Sequence, residues 1–204
     1  MIPESILRTV LDEELCYAIS SPYHHWFTFM DEHVEFLMAD SVWHGPDHCA
    51  RVLLLVLILG HRKQMSEEDM EVLCLAAVFH DSRRQDDYAD RGHGKRASGY
   101  YRDFCQKKNI RLNRLASFIM HFHDLEDAIG LSEIARMHSG RERYLKLYQV
   151  FKDADALDRF RLGPDALDVS MLRTSEASGL VQFSRYLLLK SRDLHSQRAL
   201  ISCC

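Results

Sequence analysis

HGPDHCARVLLLVLIL, residues 44–59, is the stretch that decides the fold. Gly45 interrupts what precedes it, and Pro46 suits the first position of a helix because its missing N–H has no intrahelical partner there. From Val52 to Leu59 every residue is apolar. A helix that is apolar nearly all round has no face to give to water, so this one belongs at the centre of a bundle. Flanked by Arg51 and by His61, Arg62 and Lys63, the run is too short to cross a bilayer. The polar residue at its buried end, His48, therefore needs a partner.

Outward from this helix, apolar residues recur at helical spacing, as in Leu112, Leu115, Ile119 and Phe122, and again in Tyr144, Leu147, Phe151 and Ala154. Sustained alternation and Asn-Gly or Asp-Gly hairpin turns are missing. The pattern predicts helices at 4–20, 26–40, 47–62, 67–81, 94–108, 111–125, 140–160 and 176–194, with Ser66 starting the fourth, and an all-α fold class. No linker divides the 204 residues, so a single domain over 1–204 is expected.

A net charge of −4 with both signs interspersed argues against a nucleic-acid duplex as partner, which needs a clustered basic face. The N-terminus carries acids where a secretory signal would carry a basic region, so no membrane association and a cytoplasmic location are expected. Six cysteines lack metal or disulfide spacing, and Cys49 and Cys74 read as reduced core residues. Cys203-Cys204 reads as a tail of unassigned role.

With twelve histidines, most are background, and His24, His25, His33, His61, His138 and His195 have no organised neighbours. Others lie on apolar stripes. His80 shares a face with Leu73 and Ala77, with Asp81 beside it; His123 shares one with Leu115 and Ile119, whereas His121 is turned away. In FKDADALDRF, Asp155 follows Phe151 by one turn and points inward, Asp153 points elsewhere, and Asp158 is placed to support Asp155. Each alone reads most simply as a hydrogen-bonded core group. Several helices each placing one such group inward point instead to a divalent transition metal, which imidazole and carboxylate ligands suit.

These segments, HGPDHCARV with His48, AAVFHDSRR with His80-Asp81 and FKDADALDRFRLG with Asp155, resemble the HD-domain metal-dependent phosphohydrolases in order and spacing over about residues 42–165. The resemblance implies an HD-like helical bundle in which His48, His80, Asp81 and Asp155 bind a first metal. His93 in RGHGKRAS and His123 in FIMHFHD would bind a second or act in catalysis together with Asp81. It also looks like a subgroup of small bacterial HD proteins, which makes Arg159, Arg161 and Arg173 candidates for substrate or supporting roles.

The cofactor would be one or two divalent ions, with Mn, Fe, Co, Ni, Mg and Zn not distinguished. The substrate would be a small phosphorylated compound, a nucleotide among the candidates, hydrolysed as a phosphomonoester or phosphodiester. Arg84 and Lys95, with Arg83 and Arg96, follow the HD pair and could hold phosphate, as could Arg159. His44, separated from His48 by Gly45-Pro46, is a further substrate-binding candidate. Its arrangement is related to that in SidE-type phosphodiesterase domains, so a metal-independent, histidine-based phosphodiesterase is the first alternative, and a non-catalytic nucleotide-binding regulatory module the second.

Overall fold

A computed structural model describes residues 2, 7–9 and 11–201, with side chains through 192; Cys203-Cys204 and the start of the expected 4–20 helix lie outside these residues. The described residues are helical, without strands. The helices are α1 (Glu13–His33), α2 (Pro46–Arg62), α3 (Glu67–Phe79), α4 (His93–Lys108), α5 (Arg114–Phe122), α6 (Asp127–Ala135), α7 (Arg141–Leu157), α8 (Ser175–Ser178) and α9 (Val181–Ile201). Short 3₁₀ turns at Asp158–Leu162 and Val169–Met171 follow α7.

The quoted stretch forms α2, and every residue from His48 to Gly60 is buried. Pro46 opens it, and it packs most extensively on α3, then on α1 and α7. Each large apolar side chain buried there contributes about 1.5–3 kcal/mol. Ser66 caps α3 by accepting a hydrogen bond from Asp69 N at 3.3 Å. Asp12 caps α1 by accepting one from Leu15 N at 2.8 Å.

Two boundaries differ from expectation. The expected helices 4–20 and 26–40 are replaced by α1, which runs through Pro22 and stops at His33; Val34 turns to extended backbone with φ −105° and ψ 114°. A proline inside a helix costs about 3 kcal/mol. Here the buried stripe Ile19, Tyr23, Phe27 and Met30 continues past Pro22 and holds the helix together. Leu37 N then donates to Ser82 O at 3.1 Å, which ties the following turns to the end of α3.

Helix α6 was not expected, because Gly130 interrupts its pattern. Its glycine is a matter of space: a Cβ there would lie 2.6 Å from Tyr148 Oη and 2.7 Å from Tyr148 Cζ. α6 is thus laid closely on α7. The expected 176–194 helix is split by Gly179 into α8 and α9. Among the described residues no helix is long and apolar enough to cross a membrane.

Candidate metal centre

Helix ends, rather than helix middles, meet at one point. His48 lies in the first turn of α2, His80 caps the C-terminus of α3 with Asp81 next, His93 opens α4, His123 caps α5, and Asp155 lies in the last turn of α7. α3 stops there because Ser82 takes the Phe79 carbonyl twice, through N at 3.0 Å and Oγ at 2.7 Å. Three helix C-termini and two N-termini thus meet at the cluster, so the partial charges of the helix ends largely offset one another and the side chains set its charge.

The four rings are held from behind. Nδ1 of His80 donates to Ala77 O at 2.9 Å, that of His93 to Asp90 O at 2.6 Å and that of His123 to Met120 O at 2.7 Å. Carbonyls only accept, so each of these Nδ1 atoms carries the proton. Nδ1 of His48 donates to the Asp158 carboxylate at 2.7 Å, and Arg51 holds that carboxylate with Nε at 2.7 Å and Nη2 at 2.9 Å. Every Nε2 is left facing inward.

There the nitrogens crowd one another. His48 Nε2 lies 3.1 Å from His80 Nε2, and His93 Nε2 lies 3.0 Å from His123 Nε2. Carboxylate oxygens close the groups: Asp81 Oδ1 is 3.1 Å from His93 Nε2 and 3.3 Å from His123 Nε2, while Asp81 Oδ2 is 3.6 Å and Asp155 Oδ1 3.3 Å from His48 Nε2. In the neutral form of these rings, with Nδ1 protonated, lone pairs would face lone pairs and carboxylate oxygens. A positive species between them relieves that repulsion.

Burial holds His80 neutral, pulling its pKa down to about 3 against the opposing field of Asp81. For Asp81 burial acts to raise the pKa, but His80 and the hydrogen bonds that His123, His44 and His93 donate when the nitrogen facing it carries a proton together hold the carboxyl well below the usual range. Asp155 is likewise held low, with His48 outweighing burial. His93 is raised, because its contacts with Asp81 overcome the opposing effect of burial. Anionic carboxylates and neutral imidazoles are the donor states that a divalent transition metal requires.

Two sets of donor atoms meet the spacing for a shared ion: His48, His80 and Asp81, and Asp81, His93 and His123. Asp81 belongs to both, and Asp155 adjoins the first through His48. These buried groups could hold a metal ion, and the donor set fits one. Such ions need the rings held from behind, as they are here.

The cluster opens onto a cavity of about 650 Å³ lined by His44, Asp81, His93, His123 and Asp155, with Arg84, Lys152, Arg159, Arg161 and Arg173 in its walls. A larger hollow of about 910 Å³ lies beside the first turns of α1, near Cys16 and Tyr17, away from the cluster. Chemistry rather than size therefore singles out the first.

The expected site residues fall into three groups. His48, His80, Asp81, His93, His123 and Asp155 come together in the cluster, and His123, not His121, points inward. His44 is buried beside them, its Nδ1 3.2 Å from both Asp81 Oδ2 and Arg161 Nη2; burial pushes its pKa down. Arg84 is buried in the cavity wall, donating to Asp86 O and Tyr88 O, with Nη1 3.4 Å from His93 Nδ1. Arg159 lies at the exposed rim and donates to Ala166 O.

Three cations are turned elsewhere. Lys95 is exposed on α4 and is not among the described residues lining the cavity. Arg83 stacks over Tyr100, 3.3 Å from the ring centroid, and Arg96 pairs with Asp90. Sequence reasoning missed Lys152, which donates to His123 O and Leu125 O at 2.8 Å each and so fixes the turn that carries His123. It also missed Gly94: a Cβ there would lie 2.4 Å from Met120 O and 2.9 Å from His123 Nδ1, so glycine lets α4 and α5 bring His93 to His123.

No protein-family model, no curated protein and no solved structure matches the chain. What stands is a chain whose described residues are all-helical, with a buried His/Asp cluster able to hold metal.

Proposed function

We propose that the chain is a metal-dependent phosphohydrolase of the HD type, acting on a small phosphomonoester or phosphodiester, a nucleotide being the natural first candidate. The observation that carries this reading is the pair of donor groups joined by Asp81 at the floor of a cavity whose wall carries four arginines and a lysine alongside Asp87, Asp124 and Glu126. When bound, divalent ions there supply Lewis acidity towards phosphoryl oxygens and lower the pKa of water. His48, His80, Asp81 and Asp155 would hold one ion, and Asp81, His93 and His123 a second.

The chain's own groups do the rest. Burial of the rings excludes bulk water from all but the cavity side, where Asp155 keeps a side-chain exposure of 25%. Guanidinium groups of Arg84, Arg159 and Arg161 give planar, paired donors that suit phosphoryl oxygens. Arg161 is anchored for this, donating through Nε to Trp43 O at 2.6 Å.

Purified protein assayed against a panel of phosphomonoesters, phosphodiesters and nucleotides is expected to turn over at least one, to lose the activity on chelation, and to regain it with Mn²⁺ or Co²⁺. Full activity after rigorous chelation would replace this reading with metal-independent, histidine-based phosphodiester cleavage. Tight nucleotide binding with no turnover by metal-loaded protein would favour a regulatory module.

A further inference from the structure

The 3₁₀ turn Asp158–Leu162 carries a buried carboxylate that none of the proposed chemistry uses. Asp158 has a side-chain exposure of 2% and sits behind the cluster, between α2 and α7. Its Oδ2 accepts the His48 Nδ1 proton at 2.7 Å and an Arg51 Nη2 proton at 2.9 Å; its Oδ1 accepts from Arg51 Nε at 2.7 Å. Arg161 Nη1 stands 3.8 Å from the same Oδ2.

We propose that Asp158 is a positioning residue for His48: clamped in place by Arg51, it accepts the Nδ1 proton and so leaves the Nε2 lone pair facing His80, Asp81 and Asp155. The other three inward rings are set by backbone carbonyls at the ends of their own helices or in the turn just before. His48 has no such carbonyl. It lies in the first turn of α2, where the unsatisfied backbone groups are N–H donors rather than acceptors. His93, also at a helix start, takes the Asp90 carbonyl of the turn before it, whereas His48 takes its acceptor from Asp158, 110 residues along the chain.

Only a side chain with a free acceptor can do this, and an anion does it most strongly because charge-assisted hydrogen bonds are the stronger ones. A carboxylate so deeply buried would itself be costly, and the fork of Arg51 offsets that cost with two nearly parallel bonds. Arg51 lies on the same helix as His48, one turn further along, so both groups meet Asp158 from a single rigid element. Direction is thus imposed on the imidazole by a pair of residues that never face the cavity: neither Arg51 nor Asp158 is among its lining residues.

The consequence is selective. Loss of Asp158 weakens the ion group that includes His48 and spares the one built on His93 and His123. This rests on reading the cluster as a metal centre, and the experiment separates the two ideas. Asp158→Leu keeps the branched shape and about the size of the side chain but offers His48 Nδ1 no acceptor, which leaves the ring proton to move to Nε2, where Asp155 Oδ1 lies 3.3 Å away to accept it.

Two readouts apply to the purified full chain. The first is the ¹⁵N-detected tautomer of His48 in metal-free protein, expected to change from Nδ1–H to Nε2–H. The second is Co²⁺ titration followed by absorption: the step belonging to the His48 group is expected to weaken about 10- to 100-fold, and the other to stay within about two-fold. Arg51→Met, which leaves Asp158 facing His48, is expected to lower the melting temperature while keeping the Nδ1–H tautomer. Should Asp158→Leu fold poorly because Arg51 is stranded, the double variant Arg51→Met with Asp158→Leu removes both buried charges and must show the same tautomer change.

An unchanged tautomer, or wild-type Co²⁺ affinity in both steps, overturns the proposal while leaving the metal reading intact. A wild-type protein that takes up no Co²⁺ overturns the metal reading; a tautomer change in Asp158→Leu would still establish what Asp158 does to His48.

Discussion

Asp153 and Asp155 lie one residue apart on α7, and their surroundings differ in kind. Asp153 is fully buried and surrounded by donors: Arg173 N and Nη1, Thr174 N and Thr174 Oγ1 all reach it, at 2.7–3.1 Å. It fixes the segment that leads into α8, and its acceptors are satisfied by the protein. Asp155 faces His48 Nε2 at 3.3 Å, an atom whose proton is on the other side of the ring. Two carboxylates on one helix thus show the difference between a group that the fold completes and one that it leaves for a ligand.

The largest expected effect breaks the first of these. Asp153→Ala strands the Arg173 and Thr174 donors and should cost about 3 kcal/mol or more in chemical unfolding. Its metal uptake per folded molecule should be unchanged. Asp155→Ala should do the reverse, with metal affinity falling by more than about 10-fold, beyond what supporting residues carry. Its metal-free stability near neutral pH should fall far less than that of Asp153→Ala, because only the contact with His48 is lost and no ring of donors is left stranded. Equal destabilisation by both variants would erase the distinction.

Parts of this contrast were legible beforehand. Face arithmetic put Asp155 and His123 on the side of the cluster and Asp153 and His121 off it, although Asp153 proves fully buried among partners that lie beyond α7. The same arithmetic could not say what Asp153 does, since its partners at Arg173 and Thr174 come from beyond two turns of irregular chain. The Arg51 to Asp158 pairing joins residues 107 apart and has no local signature. α2 was legible because its apolar run leaves a helix only one place to go, whereas α1 was misread at Pro22, where the stripe from Ile19 to Met30 outweighs the local penalty. α6 was hidden because Gly130 is required by Tyr148, a neighbour the local pattern cannot reveal.

A smaller effect sharpens the comparison through pH. His80 has its pKa lowered from 6.5 to about 3, so below pH 6.5 the unfolded chain binds a proton that the folded one refuses. Metal-free stability therefore falls as pH drops across that window, by up to about 1.4 kcal/mol per unit for one proton. His93, raised above 6.5, acts in the opposite sense and softens the upper part of the slope. Below about pH 4 the depressed carboxyls of Asp81, Asp155 and Asp158 add their own loss, since stability they give above their unfolded pKa of 3.8 disappears as pH falls through their folded values. Thermal melts of metal-free protein from pH 7 to 4 should show this decline, and His80→Asn should flatten its upper part; a flat wild-type profile would contradict it.

Asp81 is the one residue common to both donor groups, and so it offers the most direct test of the cluster as a metal centre. Calorimetric titration of metal-free wild-type protein with Co²⁺ should show two ions bound per chain, and Asp81→Asn should lose both while keeping its helical circular dichroism. No uptake by the wild type, or two ions retained by Asp81→Asn, would contradict the account.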